Sequence, residues 1–499
     1  MAEGKEPMEG GGLSRIGLYG LAVMGQNFAL NIASHGFPIS VCNRSPAKVD
    51  TTVARAEAEG GLPLKGFKDP EEFVKSIARP RAIVILVMAG KPVDSTIELL
   101  SKYMDEGDCI IDGGNEWYPN SVRRGEVLKE KNMLFMGMGI SGGEEGARNG
   151  PSLMPGGPRE AYDMVAPILQ ACAAQVDGEA CTFYIGPVGS GNYVKMVHNG
   201  IEYGDMQLIA EAYDVLRIAG GLSNEELAET FAAWNQSEEL DSFLIEITSK
   251  IFTKRDDLED EGFLVDKILD KTGMKGTGRW TIQEAAEQSV AASTMAAALD
   301  MRYMSGRKDE RITAATILQG PSEIPSVARD QIVADVKEAL YCAKICSYAQ
   351  GMALIRAASD KMDWGVDLSE CARIWKGGCI IRARFLDKIR AAYAADPRLP
   401  NLMIDPAFAQ TLNSRQSSWR RIVSLCVASG IACPALAASL NYYDTYRRPR
   451  LPANLTQAQR DFFGGHSYER TDRPGNFHCA WTDAHKDIGS IEERNAGNL

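Results

Sequence analysis

Histidine is scarce in this chain, and its cysteines never occur at the spacing of a metal site. Only 5 of the 499 residues are histidine, and the 11 cysteines include no Cys-x-x-Cys or Cys-x-x-His pair. Cys342 and Cys346 lie one helical turn apart, which fits neither a disulfide framework nor a zinc site. No cluster of Asp or His has metal-ligand spacing either. We therefore expect reduced, mostly buried thiols, a reducing compartment and no metal.

The chain also lacks a long apolar run and an excess of positive charge. No run is long enough to span a bilayer. The net charge of −12 argues against nucleic acid and anionic membranes as partners, although a local cationic pocket could hold a small anion. Residues 1–14 are rich in Gly and Glu and resemble a disordered extension rather than a signal or transit peptide. We expect a soluble, cytoplasmic protein of about two to four domains, with an organellar form left open.

A glycine motif follows the first apolar strand pattern. Residues 15–19 read as a strand, and the following GLAVMG, residues 20–25, leads into a helical run. In such a turn Gly20 permits the tight bend, Ala22 keeps the backbone close to a pyrophosphate and Gly25 allows close helix packing. The next strand pattern ends in Asn-Arg-Ser at 43–45, where an NAD site would carry Asp or Glu. This sequence suits a 2′-phosphate and therefore favours NADP.

Further strand patterns at 81–87, 109–112 and 134–139 alternate with helical patterns, which predicts a mainly parallel sheet. Ligands of such sheets bind beyond the carboxyl ends of the strands. Asn115 follows one of these strands and could lie between nicotinamide and substrate, while the small residues at 141–143 could hold a carboxylate. Each loop could equally be a plain turn, but their joint placement favours a site. The expected cofactor-binding residues are Gly20, Leu21, Ala22, Val23, Met24, Gly25, Asn43, Arg44, Ser45, Val87, Met88, Ala89 and Asn115.

One long helix is predicted for residues 191–217. Its 3.6-residue period puts Lys195, His198, Asn199 and Glu202 on one face, with Tyr203 at the edge. The alternative is a solvated stripe on a surface helix. The scarcity of histidine and the presence of Gly and Asn, which form helices poorly, argue against that alternative. An amine and a carboxylate two turns apart could transfer protons at both ends of a small substrate.

Helical patterns dominate after residue 190, and one of them recurs. Residues 206–217 resemble 345–356, about 140 residues later, which predicts a duplicated helical unit. The second copy lacks the Lys-His-Asn-Glu stripe, so we assign chemistry to the first copy and packing to the second. The expected division is a disordered N-terminal extension (1–14), a Rossmann-like nucleotide-binding domain (15–190), an all-helical substrate and dimerisation domain (191–448) and a C-terminal tail (449–499).

From about Arg15 to about Trp481 the chain resembles decarboxylating 6-phosphogluconate dehydrogenase. The motifs that carry the resemblance are GLAVMGQN at 20–27, GGNEWY at 113–118, SGGEEGARNGPSLMPGG at 141–157, KMVHNGIEYGDMQL at 195–208, MKGTG at 274–278 and YRRPRLPANLTQAQRDFFGGH at 446–466. The resemblance implies an α/β Rossmann-like NADP-binding domain followed by a large all-α domain with an internal duplication. It also implies a homodimer whose C-terminal tails exchange, and oxidation of 6-phosphogluconate to ribulose 5-phosphate and CO₂.

Carried over by position, the resemblance makes Lys195 the general base and Glu202 the general acid. Arg460 and His466 would act in the partner's site. The expected substrate-binding residues are Asn115, Ser141, Gly142, Gly143, His198, Asn199, Tyr203, Lys275, Arg302, Arg460 and His466. Two positions depart from the family pattern, since Met88 and Arg279 each stand where the family has lysine. The first departure bears on cofactor affinity, and the second keeps the charge but changes the hydrogen-bond geometry.

Two other functions compete with this reading. A related β-hydroxyacid dehydrogenase would act on a small unphosphorylated acid, but the cationic set Lys275, Arg302 and Arg460 argues against it. A catalytically silent NADP-binding dimer would be favoured by loss of Lys195 or Glu202, and the chain retains both.

Overall fold

The computed structural model describes residues 12–259 and 261–482, which form two compact units that divide between Leu440 and Asn441. Most of the predicted N-terminal extension, and the end of the predicted tail, lie outside the described residues. Within the extension, Ser14 is buried and pairs with Ile77. In the described part of the chain no helix is long and apolar enough to cross a membrane.

A seven-stranded sheet organises the first part of the chain. Its strands are β1 (Ile16–Tyr19), β2 (Ile39–Cys42), β3 (Leu64–Phe67), β4 (Ala82–Ile85), β5 (Cys109–Asp112), β6 (Leu134–Ile140) and β7 (Leu153–Gly156). Their order is β3-β2-β1-β4-β5-β6-β7, with β1 to β6 parallel and β7 antiparallel to β6. The predicted mainly parallel sheet is therefore confirmed, and the six parallel strands have the Rossmann order.

Helices cover both faces of this sheet. They are α1 (Val23–Ser34), α2 (Pro46–Ala58), α3 (Pro70–Lys75), α4 (Lys91–Leu100), α5 (Tyr118–Lys129), α6 (Gly143–Asn149) and α7 (Arg159–Cys172), followed by the small strands β8 (Gln175–Val176) and β9 (Glu179–Ala180). Successive side chains of β4 enter different apolar clusters, since Ile83 and Ile85 pack in one and Val84 in the other. The central strands are buried on both faces, which explains their nearly continuous apolar sequences.

The rest of the described chain is almost entirely helical. It contains α8 (Ser190–Ile218), α9 (Asn224–Trp234), α10 (Phe243–Thr253), α11 (Leu264–Lys267), α12 (Thr277–Glu287), α13 (Ser293–Ser305), α14 (Lys308–Ala315), α15 (Arg329–Met362), α16 (Leu368–Ile374), α17 (Leu386–Ala395), a 3₁₀ turn (Leu402–Ile404), α18 (Pro406–Ser429), α19 (Pro434–Tyr446) and α20 (Ala453–Gly464). Two short strands, β10 (Tyr468–Glu469) and β11 (Asn476–Phe477), form a hairpin.

The predicted duplication is visible as two runs of helices in the same order. A long helix is followed by two shorter ones in α8–α9–α10 and again in α15–α16–α17. The two long helices pack on each other and join through an ion pair of 2.6 Å between Lys344 Nζ and Asp205 Oδ2, both buried. These two residues occupy equivalent positions of the two copies. Lys344 of the second copy thus has a structural role, because the carboxylate of Asp205 in the first copy compensates its buried charge.

Candidate active site

Glycines allow the first turns of α8 to lie directly on the sheet. A Cβ atom at Gly139 would be 2.3 Å from Cβ of Lys195, and one at Gly137 would be 1.9 Å from Oδ1 of Asn192. Both glycines belong to β6, so helix and strand approach at distances that any side chain would prevent. This approach places Lys195 at the carboxyl end of β6, beside the loop that follows that strand.

Two glycines of the turn after β1 have no room for a side chain. Gly20 has φ 106°, and a Cβ atom there would lie 2.4 Å from the carbonyl oxygen of Leu86. A Cβ atom at Gly25 would lie 1.8 Å from the carbonyl oxygen of Gly20. The Leu21 N–H donates to Asn43 Oδ1 at 2.9 Å, which ties this turn to the end of β2. The glycines therefore permit the tight turn that leads into α1, and the N–H groups at the start of that helix can meet a phosphate.

A cleft of about 370 Å³ opens beside this turn. Its lining consists of Ala22, Val23, Met24, Gly25, Leu86, Val87, Met88, Gly113, Gly114, Asn115 and Ile140. Ala89 continues the loop of Val87 and Met88, and Arg44 and Ser45 are exposed just after β2. A tight turn with two glycines, a helix N-terminus and an exposed guanidinium fit a dinucleotide with a 2′-phosphate. Met88 is 76% exposed, so the residue that replaces the family's lysine faces solvent.

Polar side chains of α8 and of the loop after β6 meet at one end of this cleft. Lys195 Nζ donates to Ser141 Oγ at 3.0 Å and lies 3.4 Å from Nδ1 of His198. His198 Nε2 is 3.5 Å from Ser141 Oγ, and His198 Nδ1 is 3.3 Å from Oδ1 of Asn199. Ser141 directly follows Ile140, which lines the cleft. The lysine amine therefore lies next to the nucleotide cleft.

Burial sets the protonation of this cluster. It lowers the pKa of Lys195 to about 8, although the carboxylate of Glu202 acts in the opposite direction. Burial and then the charge of Lys195 lower the pKa of His198 well below its ordinary value. Glu202 lies two turns along α8 from Lys195, and burial raises its pKa despite the nearby Lys195, Arg302 and Lys275. One helix thus presents a lysine whose pKa is lowered and a carboxyl group whose pKa is raised, both by burial.

The other end of the cluster is cationic. The Arg302 guanidinium lies 3.5 Å over the ring centroid of Tyr203, and its Nη1 donates to the carbonyl oxygen of Gly273 at 3.1 Å. Lys275 is exposed in the same glycine-rich loop, which leads into α12. A Cβ atom at Gly278 would lie 2.4 Å from Cε1 of Tyr203, so α12 packs tightly on this tyrosine. These contacts bring two cations to the Glu202 side of α8, where they can meet an anionic group.

The loop of residues 141–143 packs directly against the backbone at Gly378. Gly142 has φ 110° and caps α6, and Gly143, with φ 63°, begins that helix. A Cβ atom at Gly142 would lie 2.7 Å from the carbonyl oxygen of Gly378. Ser141 itself is 2% exposed. The hydroxyl group and the backbone of this loop are thus fixed beside Lys195.

Family models cover both parts of the chain. The NAD binding domain of 6-phosphogluconate dehydrogenase matches residues 15–186, and the C-terminal domain of 6-phosphogluconate dehydrogenase matches residues 191–481. The chain belongs to the 6-phosphogluconate dehydrogenase family. A decarboxylating 6-phosphogluconate dehydrogenase of Spinacia oleracea is 62% identical over 94% of this chain and 98% of its own length. One of Synechococcus elongatus is 56% identical over 94% of this chain and 99% of its own.

A solved structure supports the same family. The 6-phosphogluconate dehydrogenase of Plasmodium falciparum is 48% identical and matches with a TM-score of 0.90 over 93% of this chain and 100% of its own. That enzyme is described in its apo form, in complex with its cofactor NADP+ and in complex with its substrate 6-phosphogluconate. The predicted fold and family are thereby confirmed.

Two of the residues expected from the family resemblance lie in the second compact unit. Arg460 is exposed and its Nη1 donates to Oε1 of Gln457 at 3.0 Å. His466 is exposed and its ring lies edge-on to Phe463, with the centroids 6.0 Å apart. Their role in the partner's site stays a prediction.

The sequence did not predict two residues of the second helical copy that pack against the polar cluster. The ring of Trp375 packs edge-on against His198 with the centroids 5.6 Å apart. Cys379 is buried, and its interaction with Lys195 acts on the pKa values of both groups. Burial raises the pKa of the Cys379 thiol to about 12, so it is neutral beside the lysine. Adjacent glycines at 377 and 378 were the available signal, because paired glycines mark a close backbone approach.

Proposed function

We propose that this chain catalyses the oxidative decarboxylation of 6-phospho-D-gluconate to ribulose 5-phosphate and CO₂ with NADP, a step of the pentose phosphate pathway. The observation that carries the proposal is Lys195, a buried amine with a pKa lowered to about 8 and hydrogen-bonded to Ser141 beside the nucleotide cleft. The Plasmodium relative, solved with NADP+ and with 6-phosphogluconate, supports the choice of both ligands.

Lys195 acts first as a base. Its neutral amine accepts the proton of the C3 hydroxyl group, and burial makes this form accessible near neutral pH. NADP, when bound, supplies the acceptor for the hydride that leaves C3. The protonated lysine then donates its proton to the C3 carbonyl oxygen, which is β to the carboxylate and takes up the electron pair released when CO₂ departs, so that an enediol remains.

Glu202 acts as the acid of the second half-reaction. Burial raises the pKa of its carboxyl group, which favours the protonated form. Glu202 donates its proton to C1 of the enediol while Lys195 takes the proton of the enol hydroxyl group, and ribulose 5-phosphate results. It lies on the same helix as Lys195, at the other end of the polar face. The two groups can therefore act at different carbons of one bound sugar acid.

The substrate lies along the polar face of α8. Asn115 and the backbone and hydroxyl group of Ser141, Gly142 and Gly143 hold its carboxylate end. His198 and Asn199 bind hydroxyl groups, since the low pKa of His198 leaves it a neutral donor and acceptor. The phosphate group is held at the cationic end by Tyr203, Lys275 and Arg302, with Arg460 and His466 of the partner subunit.

The cofactor occupies the cleft beside Gly20 and Gly25. Ala22, Val23 and Met24 present the helix N-terminus to its pyrophosphate, and Asn43, Arg44 and Ser45 receive the 2′-phosphate. We expect NADP to be preferred to NAD because the guanidinium of Arg44 can pair with the extra phosphate.

We further propose a homodimer in which each C-terminal tail enters the partner's site. Both compact units expose apolar side chains that a monomer would leave in water. Ile317 and Leu318, just after α14, are 70% and 73% exposed, while Leu455 and Phe463 of α20 are 62% and 74% exposed. Ile317 and Leu318 are adjacent in the chain, and exposed apolar surface of this kind favours a protein partner. The domain limits expected from the sequence, with a tail from residue 449, belong to this proposal.

Subunit complementation tests the tail exchange. Lys195→Met and Arg460→Ala are each expected to inactivate their homodimers. In a co-expressed hybrid, one site has an intact Lys195 and the intact Arg460 of the partner subunit. We expect about a quarter of the wild-type activity, because random pairing makes half of the dimers hybrid and each hybrid has one intact site. Co-expression of Lys195→Met with Glu202→Gln is the control and should restore nothing. Absence of complementation would show that Arg460 acts within its own chain.

An absorbance assay at about 340 nm tests the activity itself. The purified chain is assayed with 6-phosphogluconate or gluconate, and with NADP or NAD. We expect reduction of NADP only with the phosphorylated acid, together with release of CO₂. Equal rates on both acids would favour the β-hydroxyacid dehydrogenase instead, and NADP binding without turnover would favour the silent dimer.

We assign the activity to the cytoplasm. The alternative is an organellar location, since some relatives are named chloroplastic. One of them, from Arabidopsis thaliana, is 62% identical. Localisation of the tagged full-length chain decides between the two.

A further inference from the structure

We propose that the buried pair Arg124–Glu116 is a positioning device of the cofactor cleft. It fixes the loop at 86–90, here named the Met88 loop, and the loop at 113–117, the Asn115 loop, relative to each other. Neither residue lines the cleft. The inference rests on the proposed use of NADP and concerns how the cleft is held in shape.

The pair forms hydrogen bonds with both backbone polar groups of Gly90. Glu116 Oε2 accepts from the Gly90 N–H at 2.9 Å, and Arg124 Nη2 donates to the Gly90 carbonyl oxygen at 3.0 Å. Arg124 Nη1 closes the ring by donating to Glu116 Oε2 at 2.6 Å. Gly90 has φ 84° and ψ −135°, a conformation that few residues other than glycine adopt. The end of the Met88 loop is therefore held in one conformation from both sides.

The same pair holds the Asn115 loop. Glu116 Oε1 accepts from the Trp117 N–H at 2.8 Å and from Asn120 Nδ2 at 3.1 Å. Arg124 Nη1 is 3.4 Å from Asp112 Oδ2, and Asp112 Oδ1 accepts from the Gly114 N–H at 3.0 Å. One guanidinium thus reaches both loops that form this side of the cleft.

These charges depend on one another because they are buried. The side chain of Arg124 is 2% exposed, that of Glu116 is 1% exposed and that of Asp112 is fully buried. Burial raises the pKa of Glu116, but hydrogen bonds from Gly90 and Arg124 outweigh it and leave the pKa below its ordinary value. Loss of Arg124 would leave two buried carboxylates without their cation, a severely unfavourable state. The loops can relieve it only by moving or by taking up protons.

A movement of either loop reaches the cofactor directly. Val87, Met88, Gly114 and Asn115 line the cleft and lie within three residues of Gly90 or Glu116. A displacement of about 1 Å in groups that position reactants can cost on the order of 100-fold in rate. The pair therefore influences the reaction through the cofactor, without touching the substrate.

The neighbouring arginine offers a matched control. Arg123 and Arg124 both donate to Asp94 Oδ1 at 2.8 Å, from adjacent positions of α5. Arg123 is 51% exposed, and its only recorded partner among the described residues is Asp94. Loss of Arg123 removes a similar side chain and the same charge from the same helix but leaves both loops in place.

The test compares Arg124→Met and Arg124→Lys with Arg123→Met in the full-length protein. Calorimetry measures the Kd for NADP, steady-state kinetics measures kcat and both KM values, and thermal unfolding reports folding. We expect Arg124→Met to raise the Kd for NADP at least about tenfold and to lower kcat, with the KM for the sugar acid changed less. Arg124→Lys keeps the charge, but a single ammonium group cannot contact Glu116 and Gly90 as the planar guanidinium does. Its Kd for NADP should therefore lie between those of the wild type and of Arg124→Met. Arg123→Met should match the wild type.

Folded Arg124 variants that bind NADP as tightly as Arg123→Met would overturn the proposal. If Arg124→Met does not fold, the more conservative Arg124→Lys decides by the same comparison. A wild-type protein that binds no NADP would instead refute the proposed function, so the two failures are distinguishable.

Discussion

The contact between β6 and α8 leads to a geometric prediction about Lys195. In Gly139→Ala the new Cβ atom would lie 2.3 Å from Cβ, 2.6 Å from Cγ and 3.2 Å from Cδ of Lys195. Carbon atoms pack at about 3.5–4.0 Å, so the lysine stem or the helix must move by roughly 1 Å. A misplacement of about this size can cost on the order of 100-fold in rate. We therefore expect Gly139→Ala to lower kcat by about that factor.

The cost in stability should be ordinary for an overpacked core, about 1–3 kcal/mol. Gly17→Ala is the matched control, because its Cβ atom in β1 would lie 2.4 Å from Cδ1 of Ile77 and 2.9 Å from Cζ of Phe73. Both variants add one methyl group to a buried strand, but only the first faces the site. Thermal unfolding should place the two variants at comparable stability, and only Gly139→Ala should lose activity.

The assay measures kcat at saturating NADP and 6-phosphogluconate, with the Kd for NADP determined separately. The cleft lining does not include Gly139, so cofactor binding should be retained. A folded Gly139→Ala protein with wild-type kcat would refute the idea that the close approach of β6 positions the lysine. An equal loss of kcat in Gly17→Ala would show that the effect is general destabilisation.

Two further predictions concern the acid and the base. Lys195→Met should lose at least about 100-fold in kcat with NADP binding retained, and wild-type-like turnover would exclude the assigned role. In Glu202→Gln, Lys195 becomes the remaining titrating group of the pair, so the residual kcat/KM should rise with pH as the amine loses its proton. The carboxylate of Glu202 raises the pKa of Lys195, so its removal should bring the rise of kcat/KM to about pH 8 or below. A kcat/KM that does not rise with pH would contradict a mechanism in which the neutral lysine is the base.

The sequence predicted the elements whose own residues carry a strong pattern. Strand β5 has the limits expected from its apolar run, and α8 extends only one residue beyond each end of the predicted helix. Strand β3 was missed because an edge strand with Lys65 and Gly66 has little apolar pattern. Strand β7 was missed because it contains Pro155 and Gly156, which rarely occur within strands.

The candidate site was predictable where helical periodicity or the carboxyl ends of the parallel strands bring residues together. The stripe on α8 could be seen because helical periodicity brings its members together. Cys379 and Trp375 reach the same cluster from about 180 residues away, and such contacts leave no local pattern. Arg123 and Arg124 are adjacent and chemically identical in the sequence, and only the structure shows that one of them is buried between the cofactor loops.

A single physical effect accounts for the different roles along α8. Burial penalises the charged form of any group, so it lowers the pKa of Lys195 and of His198 but raises that of Glu202. On one helix face the same environment therefore favours a neutral amine, a neutral imidazole ring and a protonated carboxyl group, which are the forms that the proposed mechanism uses. Lys344, which is also buried, is instead held in an ion pair with Asp205. The two lysines differ because one has a carboxylate at hydrogen-bond distance and the other has a hydroxyl group, which cannot compensate a full charge.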